Sequence, residues 1–433
     1  MRARSPSKGG PPIIKTGKNM FQNSPSAPRA GGLTASPLIT RNAGDSPVPL
    51  GPHPVSLHTI RFTGSGSEYF RIWIVNLLLT LVTLGLYYPW AKVRKLQYFY
   101  GNTVVIGHTL AFHGEPKKML RGFLLVSLLM LTYGVAGRVS PTAGAVAGLI
   151  LAAIWPALMR ASLQFRLAQT SWRGLRFHFT GSLKDAYMVF LKPILVSLGV
   201  VLLSVIVAAM LPRALSGIFV ALIAIGGMVC LGPYMLWRIK RYQHQHYALG
   251  QLQTSFKATF GDMLRIFLKT GLLSVVAVTG MVILCGLLFA AVGMNQVLSS
   301  KPDMRQLMSW SGLLVPAMVI AYILITQVIQ GPYFSSRMQN LVWTQTGNRL
   351  VRFKSHLGWG ELAWLALKNW LLVALTLGLY WPFAAIALAR ARLQAIVIHT
   401  RQDPDLLLAQ ANQTTSDASG DLAADLIGID VGL

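Results

Sequence analysis

Residues 215 to 236 read LSGIFVALIAIGGMVCLGPYML, a run of 22 residues without a charged side chain. A helix needs about 20 mostly apolar residues to cross the hydrocarbon core of a bilayer. This run therefore predicts a transmembrane helix. Eight such runs lie at residues 69–89, 119–137, 142–158, 187–210, 215–236, 265–293, 309–330 and 362–384. We expect an all-α integral membrane protein, a polytopic helical bundle of about eight transmembrane segments.

The composition of the whole chain agrees with this class. Of its 433 residues, 53% are hydrophobic and 12% are charged, whereas soluble proteins carry about 25% charged residues. A net charge of +26 would indicate nucleic-acid binding in a soluble protein. Here the basic residues stand directly beside the apolar runs, which indicates juxtamembrane loops. The expected partner is the lipid bilayer, with its anionic lipids, and not a nucleic acid.

Polar tails flank the membrane region. Residues 1–60 are rich in Pro, Gly and Ser, are basic and contain no apolar signal-peptide core. Residues 403–433 contain six aspartates and no basic residue. Such compositions predict flexible, solvated tails. Residues 61–402 then form the membrane domain.

A phenylalanine and, six or eight residues later, an acid precede four of the apolar runs. The pairs are Phe62 and Glu68, Phe179 and Asp185, Phe256 and Asp262, and Phe353 and Glu361. An acid at a helix N-terminus accepts hydrogen bonds from free backbone N–H groups, so we interpret these acids as helix caps of a repeated module. Phe112 marks a fifth, degenerate copy. The modules are expected to start near residues 62, 112, 179, 256 and 353.

The ends of the modules recur as well, because each contains a proline beside aromatic residues. The prolines are Pro89, Pro156, Pro233, Pro332 and Pro382. Around the first of them stand Tyr88, Trp90, Lys92 and Arg94. Proline interrupts helices, and aromatic residues favour the headgroup level of a membrane. We therefore predict an interfacial anchor at these positions.

The basic residues are unevenly distributed between the connections. The long connections with their flanks, residues 92–121, 160–192, 238–269 and 337–368, hold 23 Lys or Arg, against four in the short ones. The positive-inside rule then places the long connections in the cytoplasm.

The first and last modules conflict with this orientation, because each contains one apolar run. The acid and the proline of these modules lie only 21 positions apart, from Glu68 to Pro89 and from Glu361 to Pro382. A single crossing would place the two flanks on opposite sides. A re-entrant hairpin turning near Gly85 and Gly378 would keep them together. The straight crossing is favoured at this point, because irregular backbone exposed to lipid is costly.

A second polar set lies inside the apolar runs. Its members are Lys192, Lys269 and Lys368, each seven residues after a module-start acid, together with Asn76 and Asn369. The lysines could extend back to the headgroups, and the asparagines could bond between helices. Alternatively, all five could line a polar path or an anionic lipid site. The first interpretation of the lysines is the simpler one.

Catalytic and metal-binding patterns are absent from the sequence. His244 and His246 stand two residues apart, and such residues do not share one face of a helix. The chain contains no metalloprotease, serine hydrolase or phosphate-loop motif. We expect no enzyme, no metal and no cofactor.

One segment resembles a known family. Phe62-Thr-Gly-Ser-Gly-Ser-Glu, followed by Thr83-Leu-Gly-Leu-Tyr-Tyr-Pro-Trp-Ala-Lys-Val-Arg, is similar to the YjgN family of bacterial inner-membrane proteins, over about residues 60 to 400. The resemblance implies a bacterial inner-membrane location and supplies no established activity. The last module departs from the pattern, since Ala385 to Ala387 replace Lys92 to Arg94.

Two functions remain open on the sequence alone. The preferred one is a transport or permeation protein whose helices surround a polar path opening to the cytoplasm. The other is a membrane scaffold or regulator that binds anionic lipids, a protein partner or a second copy of itself through its basic aromatic loops.

Overall fold

The computed structural model describes residues 56 to 298, 312 and 316 to 406. The helices are α1 (Gly66–Val82), α2 (Tyr88–Gly101), α3 (Pro116–Val139), α4 (Pro141–Ala168), α5 (Leu183–Met210), α6 (Arg213–Gln245), α7 (Phe260–Leu298), α8 (Pro316–Thr344), α9 (Trp359–Leu375) and α10 (Trp381–Gln394). The strands are β1 (Ser56–Thr59), β2 (Arg61–Phe62), β3 (Thr103–Val105), β4 (His108–Phe112), β5 (Thr170–Trp172), β6 (Leu175–Phe179), β7 (Tyr247–Leu249), β8 (Leu252–Gln253), β9 (Ser255–Phe256), β10 (Thr346–Gly347), β11 (Val351–Ser355) and β12 (Ile396–Thr400).

Six of the described helices, α3 to α8, are long and apolar enough to cross a membrane. The prediction of eight crossings is wrong for the two terminal runs, because each folds back on itself as a short helical hairpin. The two ends of the first hairpin meet, since the Tyr98 hydroxyl near the end of α2 accepts a hydrogen bond from the N–H of Ser65 at 2.8 Å. Both flanks of this hairpin therefore lie on one side.

The turn of each terminal hairpin has a specific local cause. The Thr83 hydroxyl accepts a hydrogen bond from the Tyr87 N–H at 3.0 Å, and Gly85 takes a positive φ of 92°, which glycine adopts without strain. The last hairpin repeats this arrangement, with Thr376 bonded to Tyr380 at 2.9 Å and Gly378 at φ 93°. The shared Thr-Leu-Gly-Leu-Tyr segment thus ends one helix and reverses the chain.

Short strands connect the helical hairpins, which corrects the all-α prediction. The strands are two to five residues long, too short for a two-residue periodicity to stand out in the sequence. Their antiparallel ladders run β2-β3-β4-β5-β6-β7-β8 and β9-β10-β11-β12-β1. β1 continues into β2 and β8 into β9 along the chain. The two ladders therefore join at both ends into a closed ring.

The ring divides the chain into five units, each of the form strand, helical hairpin, strand. Within the ring, each unit lies beside the next, and α10 of the fifth unit packs against α1 of the first. All five helical hairpins project from the same edge of the strand ring, because neighbouring strands are antiparallel and each hairpin connects two neighbours. The six helices long enough to cross a membrane and the two short terminal hairpins thus extend from the same side of the strand ring.

A backbone hydrogen bond closes every unit at its base. The donors and acceptors are Thr63 and Asn102 (2.9 Å), His113 and Gln169 (2.7 Å), Thr180 and His246 (3.0 Å), Lys257 and Gln345 (2.9 Å), and His356 and Ala395 (2.9 Å). The residue before each donor is Phe in four units and Ser355 in the fifth. In the fifth unit, Ser355 therefore stands where the other four units have phenylalanine, two residues after Phe353.

The buried side chains concentrate at the base of the hairpins. There, the second helix of one unit packs against the start of the next, as Val93 does against Phe112 and Met119. The membrane-spanning parts have little core, since no residue in the most apolar window of α6 is buried. The layer between the strands and the membrane runs therefore contains most of the buried packing.

Apolar clusters fill the strand ring. Trp172 and Leu175 form one cluster, Ile396 and Ile398 belong to another, and Val105 packs against both. Exposed basic residues alternate with the apolar ones along the strands, as in the burial pattern of β11. The ring thus has an apolar inside and a basic outside.

Few residues of the assigned tails fall in the described range. Residues 56 to 59 form β1 and pair with β12, so the strand ring begins before residue 61, the predicted start of the membrane domain. At the other end, Asp405 makes an ion pair with Arg173. The remaining predictions for residues 1–60 and 403–433 lie outside the described residues.

Candidate anion-binding site

The module-start acids belong to capping boxes. The hydroxyl of Ser182 accepts the N–H of Asp185 at 3.0 Å and donates to its carboxylate at 2.7 Å. Thr259 and Asp262 bond in the same reciprocal way, and Ser65 accepts the N–H of Glu68 at 3.3 Å. The hydroxyl residue is therefore the N-cap, and the acid three residues later supports it. Glu361 follows Gly358, which makes no side-chain cap bond.

Tyr98 connects the first cap to α2. Its hydroxyl donates to the Ser65 carbonyl at 2.9 Å and lies 3.0 Å from the Glu68 carboxylate. Burial, followed by the hydrogen bond to Glu68, raises the pKa of Tyr98. In the third unit, Tyr242 donates to the Ser182 carbonyl at 3.1 Å. These contacts hold the two ends of a hairpin together, and the Glu68 carboxylate contributes to them as a hydrogen-bond acceptor.

The predicted polar path is not assembled by the structure. Lys192, Lys269 and Lys368 are all exposed, which agrees with extension toward the headgroups. Asn76 and Asn369 each bury a side-chain oxygen that finds no partner among the described residues. Asn76 lies on α1, which packs against α2 and α10, whereas Asn369 lies on α9, which packs against α8 and α10. The asparagines therefore occupy separate helix contacts.

The five prolines hold a constant place in the units but are not exposed at an interface. Each stands 13 residues before the acceptor of the bond that closes its unit. All five are buried, so their side chains pack within the protein and do not contact headgroups. Helices α4 and α6 continue through their prolines. In the terminal hairpins the proline lies in the first turn of α2 and α10, where its missing N–H costs nothing.

The side chains around Pro89 have different surroundings. Tyr88 is 46% exposed, and Trp90 stacks on Tyr87 with ring centroids 6.0 Å apart. Arg94 is exposed and lies over the Tyr87 ring at 5.8 Å. These residues are still predicted to be interfacial anchors. Lys92 is half-buried and belongs to the cluster described next.

Three cations from different units converge at the base of the hairpins. Arg166 of α4 acts electrostatically on Lys92 of α2 and on Lys240 of α6. These residues stand 10, 3 and 7 positions after the proline of their own unit, and such positions share one face of a helix. Neither of the two ion pairs found in the described part of the chain includes any of them. We call this group the cation cluster.

The cation cluster has polar and aromatic neighbours. The Lys240 amine donates to the Gln243 amide oxygen at 3.4 Å, and the Lys92 amine lies 5.9 Å from the Tyr88 ring. Tyr247 is also within electrostatic range of Arg166, and burial raises its pKa. The phenol of Tyr247 therefore remains a neutral hydrogen-bond donor at physiological pH.

The fifth unit also has an arginine, Arg392, at the position that corresponds to Arg166. It stands at the same distance after its proline as Arg166 does. Its side chain is solvent-exposed, yet burial lowers its pKa.

The arrangement favours a bound anion. Lys92 is half-buried and Arg166 is exposed, and burial together with the repulsion from Arg166 opposes the charged state of Lys92. An anion placed between Lys92, Arg166 and Lys240 would remove both penalties through charge-assisted hydrogen bonds.

Replacing Arg166 by Gln is expected to raise the pKa of Lys92. Burial is the larger cause of the lowered pKa of Lys92 and would remain, but the repulsion from Arg166 would be removed. Nuclear magnetic resonance of 13C-methylated lysines across a pH titration measures this shift, with Lys92→Arg assigning the signal. Arg176→Gln, on the exposed face of β6, should leave it unchanged. An unchanged Lys92 titration in Arg166→Gln would contradict the proximity of the two residues.

Polar side chains also join neighbouring units. At four of the five boundaries, a side chain from the second helix of one unit donates to a carbonyl at the start of the next. The pairs are Arg160 and Gly181 (2.8 Å), Trp237 and Ala258 (2.8 Å), Asn340 and Leu357 (3.0 Å), and Arg390 and Gly64 (2.9 Å). These contacts strengthen the ring.

The two histidines considered as a metal pair have separate partners. Nδ1 of His244 lies 3.1 Å from the Thr346 hydroxyl, and Nδ1 of His246 lies 2.8 Å from the Tyr242 carbonyl. No group of three or more potential metal ligands occurs among the described residues. Both histidines therefore serve packing between strands and helices.

Comparison with known proteins identifies the family. A model of the family described as "Bacterial protein of unknown function (DUF898)" matches residues 57–426. The chain is 28% identical to the inner membrane protein YjgN of Escherichia coli (strain K12) over 283 residues, which cover 62% of this chain and 70% of that protein.

A second relative covers more of the chain. The inner membrane protein YjgN of Salmonella typhimurium is 26% identical over 342 residues, which cover 76% of this chain and 85% of that protein. No solved structure matches the chain. Together with the six helices able to span a membrane, these relatives place the protein in the inner membrane as a multi-pass protein. The chain belongs to the DUF898 family, the YjgN family of bacterial inner-membrane proteins.

Proposed function

We propose that the protein binds an anionic amphiphile, a lipid-like molecule, and carries it through the membrane. The cation cluster of Lys92, Arg166 and Lys240 carries this proposal, because three uncompensated cations suit an anionic headgroup. The function requires neither a catalytic group nor a cofactor.

The membrane-spanning helices support an apolar tail above the headgroup. On α5, the consecutive residues Ile194, Leu195 and Val196 are each at least 47% exposed. Successive helical residues point about 100° apart, so apolar surface is available around much of this helix. Acyl chains can therefore contact the hairpins from several directions while the headgroup occupies the cation cluster.

The route in this proposal differs from an axial polar pore. The apolar clusters around Val105 fill the strand ring, and the lysines of the membrane runs, Lys192, Lys269 and Lys368, are exposed. The headgroup would enter the cation cluster from the membrane side, between neighbouring hairpins. The hairpins pack against each other mainly at their bases, next to the strands, and bury little surface in their membrane-spanning parts. A headgroup can therefore enter between them.

A second inference concerns the origin of the ring. We infer that the five units are copies of one ancestral module. The constant spacing of 13 residues from proline to acceptor and the five equivalent closing hydrogen bonds support this inference. A shared module also accounts for the match between the first and last units, which turn at Gly85 and Gly378.

Transbilayer movement of a labelled lipid tests the carrier. The full chain is reconstituted in phosphatidylcholine vesicles with fluorescent phosphatidylglycerol, and dithionite quenching follows its movement. Combined replacement of Lys92, Arg166 and Lys240 by Gln should slow movement at least tenfold, since losing about 1.4 kcal/mol corresponds to a factor of ten. Replacing Lys192, Lys269 and Lys368 by Gln is the matched control and should leave the rate unchanged.

The same experiment separates the carrier from a lipid-binding scaffold. The cation cluster could hold an anionic lipid without moving it, which is the observation that favours a scaffold. If the native protein binds phosphatidylglycerol through the cluster but does not accelerate its movement, the scaffold replaces the carrier. Equal movement with and without the cluster, in correctly folded protein, would exclude the proposed binding site.

A further inference from the structure

A second basic cavity lies on the outer surface of the strand ring, at the boundary between the fourth and fifth units. Its volume is about 600 Å³, and it is bounded by β9, β10, β11 and the end of α8. Lys257, Arg349 and Arg352 line it together with neutral polar residues. No acidic residue contributes to the lining. This cavity is separate from the cation cluster, whose members lie on α2, α4 and α6.

The three cations of the cavity have no partner among the described residues. Lys257, Arg349 and Arg352 are exposed, and neither ion pair in the described ranges includes them. Their side chains also form no hydrogen bond with any described residue. Charge-assisted donors are therefore available to an incoming ligand.

The neutral residues of the cavity fix its shape. The Asn348 side chain accepts the N–H groups of Leu350 and Val351 at 2.9 and 2.7 Å, which holds the loop that carries Arg349. The Ser255 hydroxyl donates to the Gly347 carbonyl at 2.7 Å, which ties β9 to β10. The cations thus project from a hydrogen-bonded frame.

Gly347 brings β11 close to the cavity floor. A Cβ at this position would lie 2.8 Å from the Val351 carbonyl oxygen and 3.0 Å from the Arg352 Cα. Any larger residue would displace the backbone that carries Arg352. The close approach of these strands therefore sets the position of one of the three cations.

Lys257 distinguishes this boundary from the others. It is the residue whose N–H closes the fourth unit, and the equivalent residues in the other four units are Thr63, His113, Thr180 and His356. Only this unit therefore has a lysine at the position. The three cations combine at one place on the ring and do not repeat around it.

We propose that this cavity binds a soluble, phosphate-bearing small molecule with at least two negative charges. A volume of about 600 Å³ falls within the usual range for small-molecule sites. Two arginines favour phosphate because their planar forks form paired hydrogen bonds with it. The cavity opens on the outer strand surface, away from the membrane runs, which favours a soluble ligand over a lipid headgroup.

Pyrophosphate binding to the purified full chain in detergent tests the proposal. Isothermal titration calorimetry at low salt should show saturable binding to the native protein. The double variant Arg349→Gln and Arg352→Gln should weaken it at least tenfold, and Lys257→Gln should weaken it severalfold. Arg176→Gln, on the same outer surface but outside the cavity, should change the affinity less than twofold. Absence of saturable binding, or an equal loss in Arg176→Gln, would overturn the proposal.

Two further arms separate the possible sources of phosphate and the two sites. Vesicles containing phosphatidylglycerol replace pyrophosphate in one arm, and dependence on Arg349 and Arg352 in that arm alone would overturn a soluble ligand. In the other arm, the variant lacking Lys92, Arg166 and Lys240 should bind pyrophosphate with native affinity. Loss of binding in that variant would show that pyrophosphate occupies the cation cluster and would also overturn the proposal.

Discussion

Reporters fused before β1 and after β12 should report the same side of the membrane. The first and last helical hairpins return to the strand ring, where β1 and β12 pair with each other. The chain enters and leaves on the side of the long basic connections, which the positive-inside rule places in the cytoplasm. Green fluorescent protein should therefore fluoresce at either end, and alkaline phosphatase should be inactive there.

Fusions within the short connections provide the control for this topology. A phosphatase inserted at Ser140, between α3 and α4, or at Pro212, between α5 and α6, should be active because it lies beyond one crossing. Opposite activities at the two chain ends would contradict the hairpins and restore a single crossing for one terminal run. Phosphatase activity at both ends with none at Ser140 would reverse the orientation and leave the hairpins intact.

Replacing Gly181 by Leu should destabilise the protein by about 3 kcal/mol or more, at the upper end of the usual cost of overpacking. A Cβ on Gly181 would overlap the ring of Phe179 and lie 2.8 Å from the Tyr242 hydroxyl. Gly64 and Gly114 meet the ring of Phe62 and of Phe112 in the same way. In these three units the phenylalanine ring leaves no room for a Cβ two residues later, whereas the fourth unit has Ala258 two residues after Phe256. Thermal unfolding in detergent measures the loss.

The fifth unit suggests the compensating change. There, Ser355 takes the place of the phenylalanine and Leu357 that of the glycine, and both are buried. Adding Phe179→Ser to Gly181→Leu should thus recover most of the lost stability, to within about 1 kcal/mol of the native protein. A single Gly181→Leu variant with native stability, or a double variant no better than the single one, would contradict this packing relation.

The boundary between the fourth and fifth units is polar because Ser355 and Leu357 replace the phenylalanine and glycine of other units. Asn340 accepts the Ser355 hydroxyl at 2.8 Å and the Leu357 N–H at 2.9 Å, and it donates to the Leu357 carbonyl. Where other boundaries use an aromatic ring, this one uses a hydrogen-bond network. Among the five units of the ring, the boundary between the fourth and fifth therefore differs in chemistry from the others. It lies beside the cavity lined by Lys257.

Local features of the fold were predictable from the sequence. The membrane-spanning runs of α3 to α6 depend on the length and apolarity of continuous segments, which the chain displays directly. The capping boxes depend on residues three apart, as in Ser182 and Asp185. The sequence marks Gly85 and Gly378 as possible turns. The cost of lipid-exposed backbone argues against a turn there, but the hydrogen bond that Thr83 accepts lowers this cost.

The candidate site was less accessible to this reasoning. Lys92, Arg166 and Lys240 resembled ordinary juxtamembrane cations, and the chosen polar set of Lys192, Lys269 and Lys368 lies exposed instead. A signal was present, because the three clustered cations stand 3, 10 and 7 residues after equivalent prolines and share one helix face. Their meeting still depends on how three units are arranged around the ring.

The sequence by itself determined the membrane class, the family, the spans of the long helices and the acids near their N-termini, because each depends on neighbours along the chain. Only the tertiary structure decided that the terminal runs turn back, that twelve short strands close into a ring, and that cations about 70 residues apart come together. Strands of two to five residues carry too little pattern to predict their partners. Their pairing is determined by contacts between distant residues, which a linear pattern does not record.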